Sequence, residues 1–155
     1  MIVESKVDFQ KKLDKLKHFK ILGIDYGYKK TGLAIYNSLV NISLPFKMIS
    51  RVNDNMNELY TIIDDKLING IIIGLPLKLD GKEPDNIDVI NEFARKLSDQ
   101  TKLPIFFSDE RFTTNYSHAL LKEYGMKRKK REEVDDMLSA VIILQNFFVK
   151  PSFFN

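Results

Sequence analysis

The 155-residue chain contains no cysteine and only two histidines, His18 and His118. The first absence excludes a disulfide framework, a thiolate nucleophile and a Cys-ligated zinc site, and the second excludes a histidine-rich metal cluster. A metal bound here must be held by oxygen, which points to Mg2+ or Mn2+. No stretch approaches the roughly 20 consecutive apolar residues that span a bilayer. The opening segment carries Lys6, Lys11, Lys12, Lys15, Lys17 and Lys20 interleaved with acids and lacks the apolar stretch of a secretory signal. No internal repeat or low-complexity segment interrupts the chain. These absences lead to the expectation of a cytoplasmic protein with no membrane partner.

What is present suits one α/β domain with a single core: 44% of residues are hydrophobic, 29% are charged and eleven are Phe. The net charge of +3 is mild but unevenly placed, because Lys127-Arg128-Lys129-Lys130-Arg131 is a run of five cations. Such a run is either a solvated loop or a loop that meets phosphates.

The hydrophobic pattern orders the elements. Lys20 to Asp25 is an apolar run closed by an acid, a buried strand ending at a polar site. Thr31 to Tyr36 follows the turn at Gly27 as a second strand. Ile42 to Met48 alternates as a third, and Pro45, which cannot donate to a ladder, places it at a sheet edge. Met56, Leu59, Tyr60, Ile63 and Leu67 then recur at helical spacing, with Asn53 or Asp54 as the cap. Gly70 to Gly74 is apolar on both faces, as in a central parallel strand. Ile87, Ile90, Ala94 and Leu97 mark a second helix with Pro84 near its start, and Leu103 to Phe107 another buried strand. A helix over about 114–124 ends at Gly125. A last helix runs from about Val134 to Phe148, with Leu138, Val141, Ile142 and Gln145 turned inward, and Pro151 stops it. The expected architecture is a five-stranded mixed sheet with helices on both faces. Its first three strands form an antiparallel meander, and its fourth and fifth lie parallel to the first. Residues 20–150 form the domain, and residues 1–19 an extension that is helical or disordered.

Three acids stand where a plain core would not place them: Asp25 at a strand end, Glu110 just after a strand, and Asp136 in the first turn of an apolar helix. Each has an ordinary explanation. Asp25-Tyr26-Gly27 suits a turn, Glu110 can pair with Arg111, and Asp135 or Asp136 can cap the last helix. Parallel strand ends share one edge, however, where ligands bind, and a helix crossing that edge can bring in the third acid. One shared cation then explains all three. Two Mg2+ ions about 3.5–4 Å apart clamp a phosphodiester without any protein nucleophile.

At this point four ordered motifs become recognisable. Leu22-Gly23-Ile24-Asp25-Tyr26-Gly27-Tyr28-Lys29-Lys30-Thr31-Gly32-Leu33-Ala34 resembles the first motif of the YqgF/RuvX family, and Gly74-Leu75-Pro76-Leu77 with Asp80-Gly81 its second. Asp109-Glu110-Arg111-Phe112-Thr113-Thr114 is similar to its third. Arg128-Lys129-Lys130-Arg131, followed by Asp136 and Ser139-Ala140-Val141-Ile142-Ile143-Leu144, is similar to its fourth. The resemblance spans about Lys20 to Phe148.

It implies a ribonuclease H-like fold related to Holliday junction resolvases and a role in trimming the 5′ end of pre-16S rRNA during ribosome biogenesis. It also implies that Asp25, Glu110 and Asp136 are the catalytic, metal-binding acids. Asp136 is taken over Asp135 by counting back from Ile142-Ile143-Leu144. Lys29, Lys30, Arg128, Lys129, Lys130 and Arg131 would meet phosphates, and Arg111 would orient Glu110 or the substrate. Two positions depart from the family pattern. Lys29-Lys30 stands where the family usually has Lys-Arg, which removes a bidentate fork, and Asn37 stands where it often has Asp.

Three functions compete. The first is a pre-rRNA nuclease. The second is a resolvase of branched DNA, which would need paired centres in a homodimer rather than a monomer. The third is a non-catalytic nucleic-acid-binding module. Asp25-Tyr26-Gly27 with Thr31-Gly32 is also similar to the phosphate loop of actin-like sugar kinases, but those need a second domain that this chain does not offer.

Overall fold

The alternation of side chains along a strand lets one short segment feed two cores, one on each face of a sheet. The computed structural model, which describes residues 1–75, 85–109 and 128–148 and the stretch 128–136 by its backbone alone, is built on that rule. In chain order come β1 (Ile2–Val3), α1 (Lys6–Asp14), β2 (Lys20–Asp25), β3 (Lys30–Asn37) and β4 (Ile42–Ser50). After a 3-10 turn at Val52–Asp54 follow α2 (Met56–Asp65), β5 (Gly70–Leu75), α3 (Ile87–Thr101), β6 (Ile105–Asp109) and α4 (Arg128–Phe148). The strands form one sheet in the order β1-β6-β5-β2-β3-β4.

The meander and the parallel pairs agree with the expectation. β2, β3 and β4 pair antiparallel, while β5 lies parallel to β2 and β6 parallel to β5. On one face Leu22, Ile24, Ile71, Ile73 and Ile105 pack beneath Leu59, Ile62 and Ile63 of α2 and Ile90, Phe93, Ala94 and Leu97 of α3. On the other, Ile21, Ala34 and Ile72 pack beneath Phe9 and Leu13 of α1 and Ala140, Val141, Ile143, Leu144 and Phe147 of α4. Adjacent residues of β2 and β5 thus belong to opposite cores, which explains why these strands read as unbroken apolar runs.

The sheet has six strands rather than five. The sixth is β1, which pairs in parallel with β6 through Ile2↔Ile105 and Val3↔Phe106. The Ile105 amide donates to the Met1 carbonyl at 2.8 Å. Such a strand is recruited by backbone pairing and is too short to carry a period-two pattern. Behind it, Ser5 caps α1 by accepting from the Asp8 amide at 3.0 Å. Phe9 and Leu13, one helical turn apart, are both fully buried. The Phe9 ring lies 5.4 Å from that of Phe147 and 5.9 Å from that of Phe106.

Other differences are local. Leu67 is not part of the α2 stripe: it adopts φ 56° and is 73% exposed. The Ile68 amide reaches back to the Ile63 carbonyl at 3.1 Å, so the helix closes in a Schellman-type turn and Ile68 takes the buried place. The cap of α2 is Asn55, not Asn53 or Asp54. Gln145 is exposed, while its neighbours Leu144 and Phe147 are buried. The helix expected from Val134 extends back to Arg128, so Arg128 to Arg131 are helical rather than a loop. β4 is at the sheet edge, as Pro45 requires. The expected helix near 114–124 with Gly125, and Pro84 and Pro151, lie outside the described residues. Among the described residues no helix is long and apolar enough to cross a membrane.

Phe9 gives a direct test of the extension's place in the core. Phe9→Ala should lower unfolding free energy by about 3–5 kcal/mol, the cost of emptying an aromatic site, measured by urea denaturation. A loss under about 0.5 kcal/mol, as for a surface change, would contradict this packing.

Candidate functional site

β2 ends at Asp25, and its neighbours end beside it. Asp25 is registered with Gly74 of β5 and Gly32 of β3, and Gly74 with Ser108 of β6. The C-terminal ends of the three parallel strands β2, β5 and β6 therefore share one rim, where ligands bind in open α/β sheets. Alternation puts Asp25, which is half-buried, on the same face as Ile21 and Gly23, the face covered by α1 and α4. Ser108 shares that face through its registered partner Gly74. Asp109, one residue on, belongs to the opposite face.

The position of α4 over this rim is set by a missing side chain. A Cβ added to Gly23 would stand 2.7 Å from Leu144 Cγ and 2.9 Å from the Ala140 carbonyl oxygen. The helix backbone thus rests on the strand two residues before Asp25. Further along, Phe147 packs on Phe9, and Phe9 lies over Gly70 next to Ile21, the start of β2. α4 therefore runs antiparallel to β2, and its earlier residues lie toward Asp25. Asp25 is about 6.5 Å along the strand from Gly23, and position 136 is about 6 Å along the helix from position 140.

The loop beyond Asp25 is tightly closed. Thr31, fully buried, donates through Oγ1 to the Gly27 carbonyl at 3.1 Å and accepts from the Gly27 amide at 3.4 Å. A Cβ at Gly27 would lie 2.3 Å from the Lys30 carbonyl oxygen, so only glycine fits there. Tyr26 is buried against Phe93, with ring centroids 4.9 Å apart, and its hydroxyl accepts from Asn53 Nδ2 at 2.7 Å. This closure leaves Tyr28, Lys29 and Lys30 exposed at the hairpin tip.

Of the residues expected from sequence, Asp25, Lys29 and Lys30 are placed together at this rim. Arg128, Lys129, Lys130 and Arg131 open α4, described by backbone only, and Asp136 lies on the same helix eight residues before Leu144. Glu110 and Arg111 directly follow β6 and lie outside the described residues. Among the described residues no group of three acids or histidines could hold a metal ion, as only Asp25 of the proposed trio has a described side chain. Sequence reading overlooked Arg51. Its amide donates to the Lys29 carbonyl at 2.9 Å, and Lys30 is registered with Ser50. The meander itself held the signal, since an antiparallel β3–β4 pair returns the end of β4 to the β2–β3 hairpin.

The profile of the family described as "RuvX: Holliday junction resolvase" matches residues 19–150. The chain belongs to the RuvX family. It is a nuclease, a hydrolase of phosphodiester bonds, and nucleic acid is its partner. A protein of Orientia tsutsugamushi named "Putative pre-16S rRNA nuclease" is 41% identical over 146 residues, covering 94% of this chain and 92% of its own. A relative of the same name from Rickettsia africae is 35% identical, with 94% of each chain covered. Among solved structures, the fowlpox virus resolvase bound to Holliday junction DNA superposes with TM-score 0.53 at 12% identity, covering 85% of this chain and 100% of that one. RuvC of T. thermophilus in complex with a Holliday junction superposes with TM-score 0.51 at 11% identity, covering 84% and 94%. These structural likenesses establish the ribonuclease H-like fold.

Gly23 supplies the test of the helix–strand contact. Gly23→Ala forces a methyl against the Ala140 carbonyl and should cost about 1–3 kcal/mol, as overpacking does. Chemical denaturation of the purified variant reads this, and unchanged stability would show that α4 does not rest on β2 here.

Proposed function

We propose that this RuvX-family chain processes the 5′ end of pre-16S rRNA in the cytoplasm, using Asp25, Glu110 and Asp136 to hold Mg2+ or Mn2+. The observation that carries the reading is the position of Asp25, at the C-terminal rim of the central parallel strand and on the face crossed by α4. The donor set suits such an ion: without cysteine, and with two histidines, the chain offers carboxylate oxygens to a hard cation. When bound, the divalent ion supplies activation of water and neutralisation of charge on the phosphate.

The chain's own groups do the rest. Asp25 is held by strand pairing on both sides, so its backbone is fixed before substrate arrives. Lys29 and Lys30, exposed beside it, draw the phosphate backbone toward the rim. Arg128 to Arg131 support the same role. Four cations in the first turn of a helix oppose its dipole, so they do not serve helix stability, whereas a phosphate there is favoured by charge and dipole together. Arg111 orients Glu110 or the substrate, as the family pattern implies.

A second reading, cleavage of branched DNA, is favoured by the family's own description as a Holliday junction resolvase. A resolvase cuts two opposed strands and so needs a homodimer, whereas trimming needs only a monomer.

A titration of Mg2+ and of Mn2+ against labelled pre-rRNA and junction DNA, side by side, separates the two. Metal-dependent cleavage of the rRNA precursor is expected, with Asp25→Asn abolishing it while leaving binding in place. Preferential cutting of junction DNA overturns the substrate assignment. Undiminished cleavage by the Asn variant overturns the assignment of Asp25.

A further inference from the structure

The end of β4 carries a residue in an unfavoured conformation. Arg51 adopts φ 48° and ψ 62°, the left-handed region in which a side chain is crowded and glycine or asparagine is preferred. Among the described residues, the other non-glycine residues with positive φ are Asn41, Leu67 and Lys102. Asn41 lies between β3 and β4, where asparagine is a favoured residue, and Leu67 and Lys102 terminate α2 and α3.

Arg51 is held from several sides. Its amide donates to the Lys29 carbonyl at 2.9 Å, and its carbonyl accepts from the Asp54 amide at 2.9 Å and from Asn55 Nδ2 at 3.3 Å. The same Asn55 amide group donates to the Ser50 carbonyl at 2.7 Å. A glycine would satisfy all the backbone bonds without strain. A strained residue fixed this firmly points to a use for its side chain.

The surroundings indicate the use. Lys29, Lys30 and Arg51 are exposed on one rim, and none forms an ion pair with a described residue. Beside them Tyr28 is 68% exposed, a large ring left in water three positions from Asp25. Cations that hold a backbone, interleaved with an aromatic face, are the pattern by which proteins bind single strands. Within a duplex both faces of a base are covered by its neighbours, whereas a base in a single strand can be splayed out onto an aromatic ring.

We propose that Tyr28 and Arg51 form a dock for unpaired nucleotides next to the Asp25 site, the ring stacking on a base and the guanidinium gripping a phosphate. This rests on the nuclease reading of Asp25 and narrows its substrate to strands with an unpaired segment at the cleavage point.

The test measures binding of the full chain to a labelled single-stranded RNA and to a blunt RNA duplex, in EDTA so that neither is cut, over a salt series. Tyr28→Leu should weaken single-strand binding on the order of tenfold, within the range for one base stack. It should leave duplex binding unchanged, and Tyr28→Phe should restore wild-type affinity. Arg51→Gly should fold at least as stably as the parent, since glycine relieves the strain, yet reduce the salt slope by about one. Wild-type binding by both Tyr28→Leu and Arg51→Gly overturns the dock. So does loss of stability in Arg51→Gly, which would make the arginine structural. Cleavage by Asp25→Asn, measured separately, reports on the underlying reading and not on the dock.

Discussion

The contact between α4 and β2 at Gly23 is the constraint on which the site depends. Because that residue has no side chain, the helix backbone settles on the strand with the Ala140 carbonyl and Leu144 against it. Ala34 of β3 packs in the same core as Ala140 and Leu144, so the fourth sequence motif lies against the first along two strands. Two chain segments more than a hundred residues apart thereby acquire a fixed register, and the register directs the early part of α4 toward Asp25. Under the proposed function, carboxylates brought to this rim would repel one another unless a cation joined them.

The same economy governs the rest of the sheet. β2 and β5 carry apolar residues on both faces, so the α2–α3 core and the α1–α4 core share a single layer of strands. The polar ends of those strands are then confined to the rim. The hairpin after Asp25 is closed by Thr31 and Gly27 and pinned by Tyr26 to Asn53. Its tip can therefore present Lys29 and Lys30 without the flexibility of an open loop. Arg51 joins them only because β4 returns antiparallel along β3.

Most of this frame is legible in the sequence, for physical reasons that can be named. Lys20–Asp25 was readable to the residue, since an apolar run closed by an acid has few other structures available. Pro45 correctly marked an edge. β1 was not readable, because it is recruited by backbone pairing with β6 and carries no side-chain pattern. Phe9 and Leu13 were hidden among the lysines of α1. Gln145 was misread because helical spacing alone does not fix the angular edge of a buried stripe. Leu67 falls outside the buried stripe because it is itself the left-handed residue at which the helix ends. The basic run looked like a loop since nothing in five consecutive cations favours a helix start. At the rim, the places of Asp25, Lys29 and Lys30 follow from one continuous motif, whereas that of Arg51 follows from register and not from spacing.

The proposed site requires that carboxylates remote in sequence hold a divalent ion at the rim beyond β2. Direct Mn2+ binding to the free chain, followed by electron paramagnetic resonance of the unbound ion, tests it without substrate. Binding is expected for the wild-type protein, and its loss in Asp25→Asn and in Asp136→Asn alike. Wild-type Mn2+ affinity in both folded variants would contradict it.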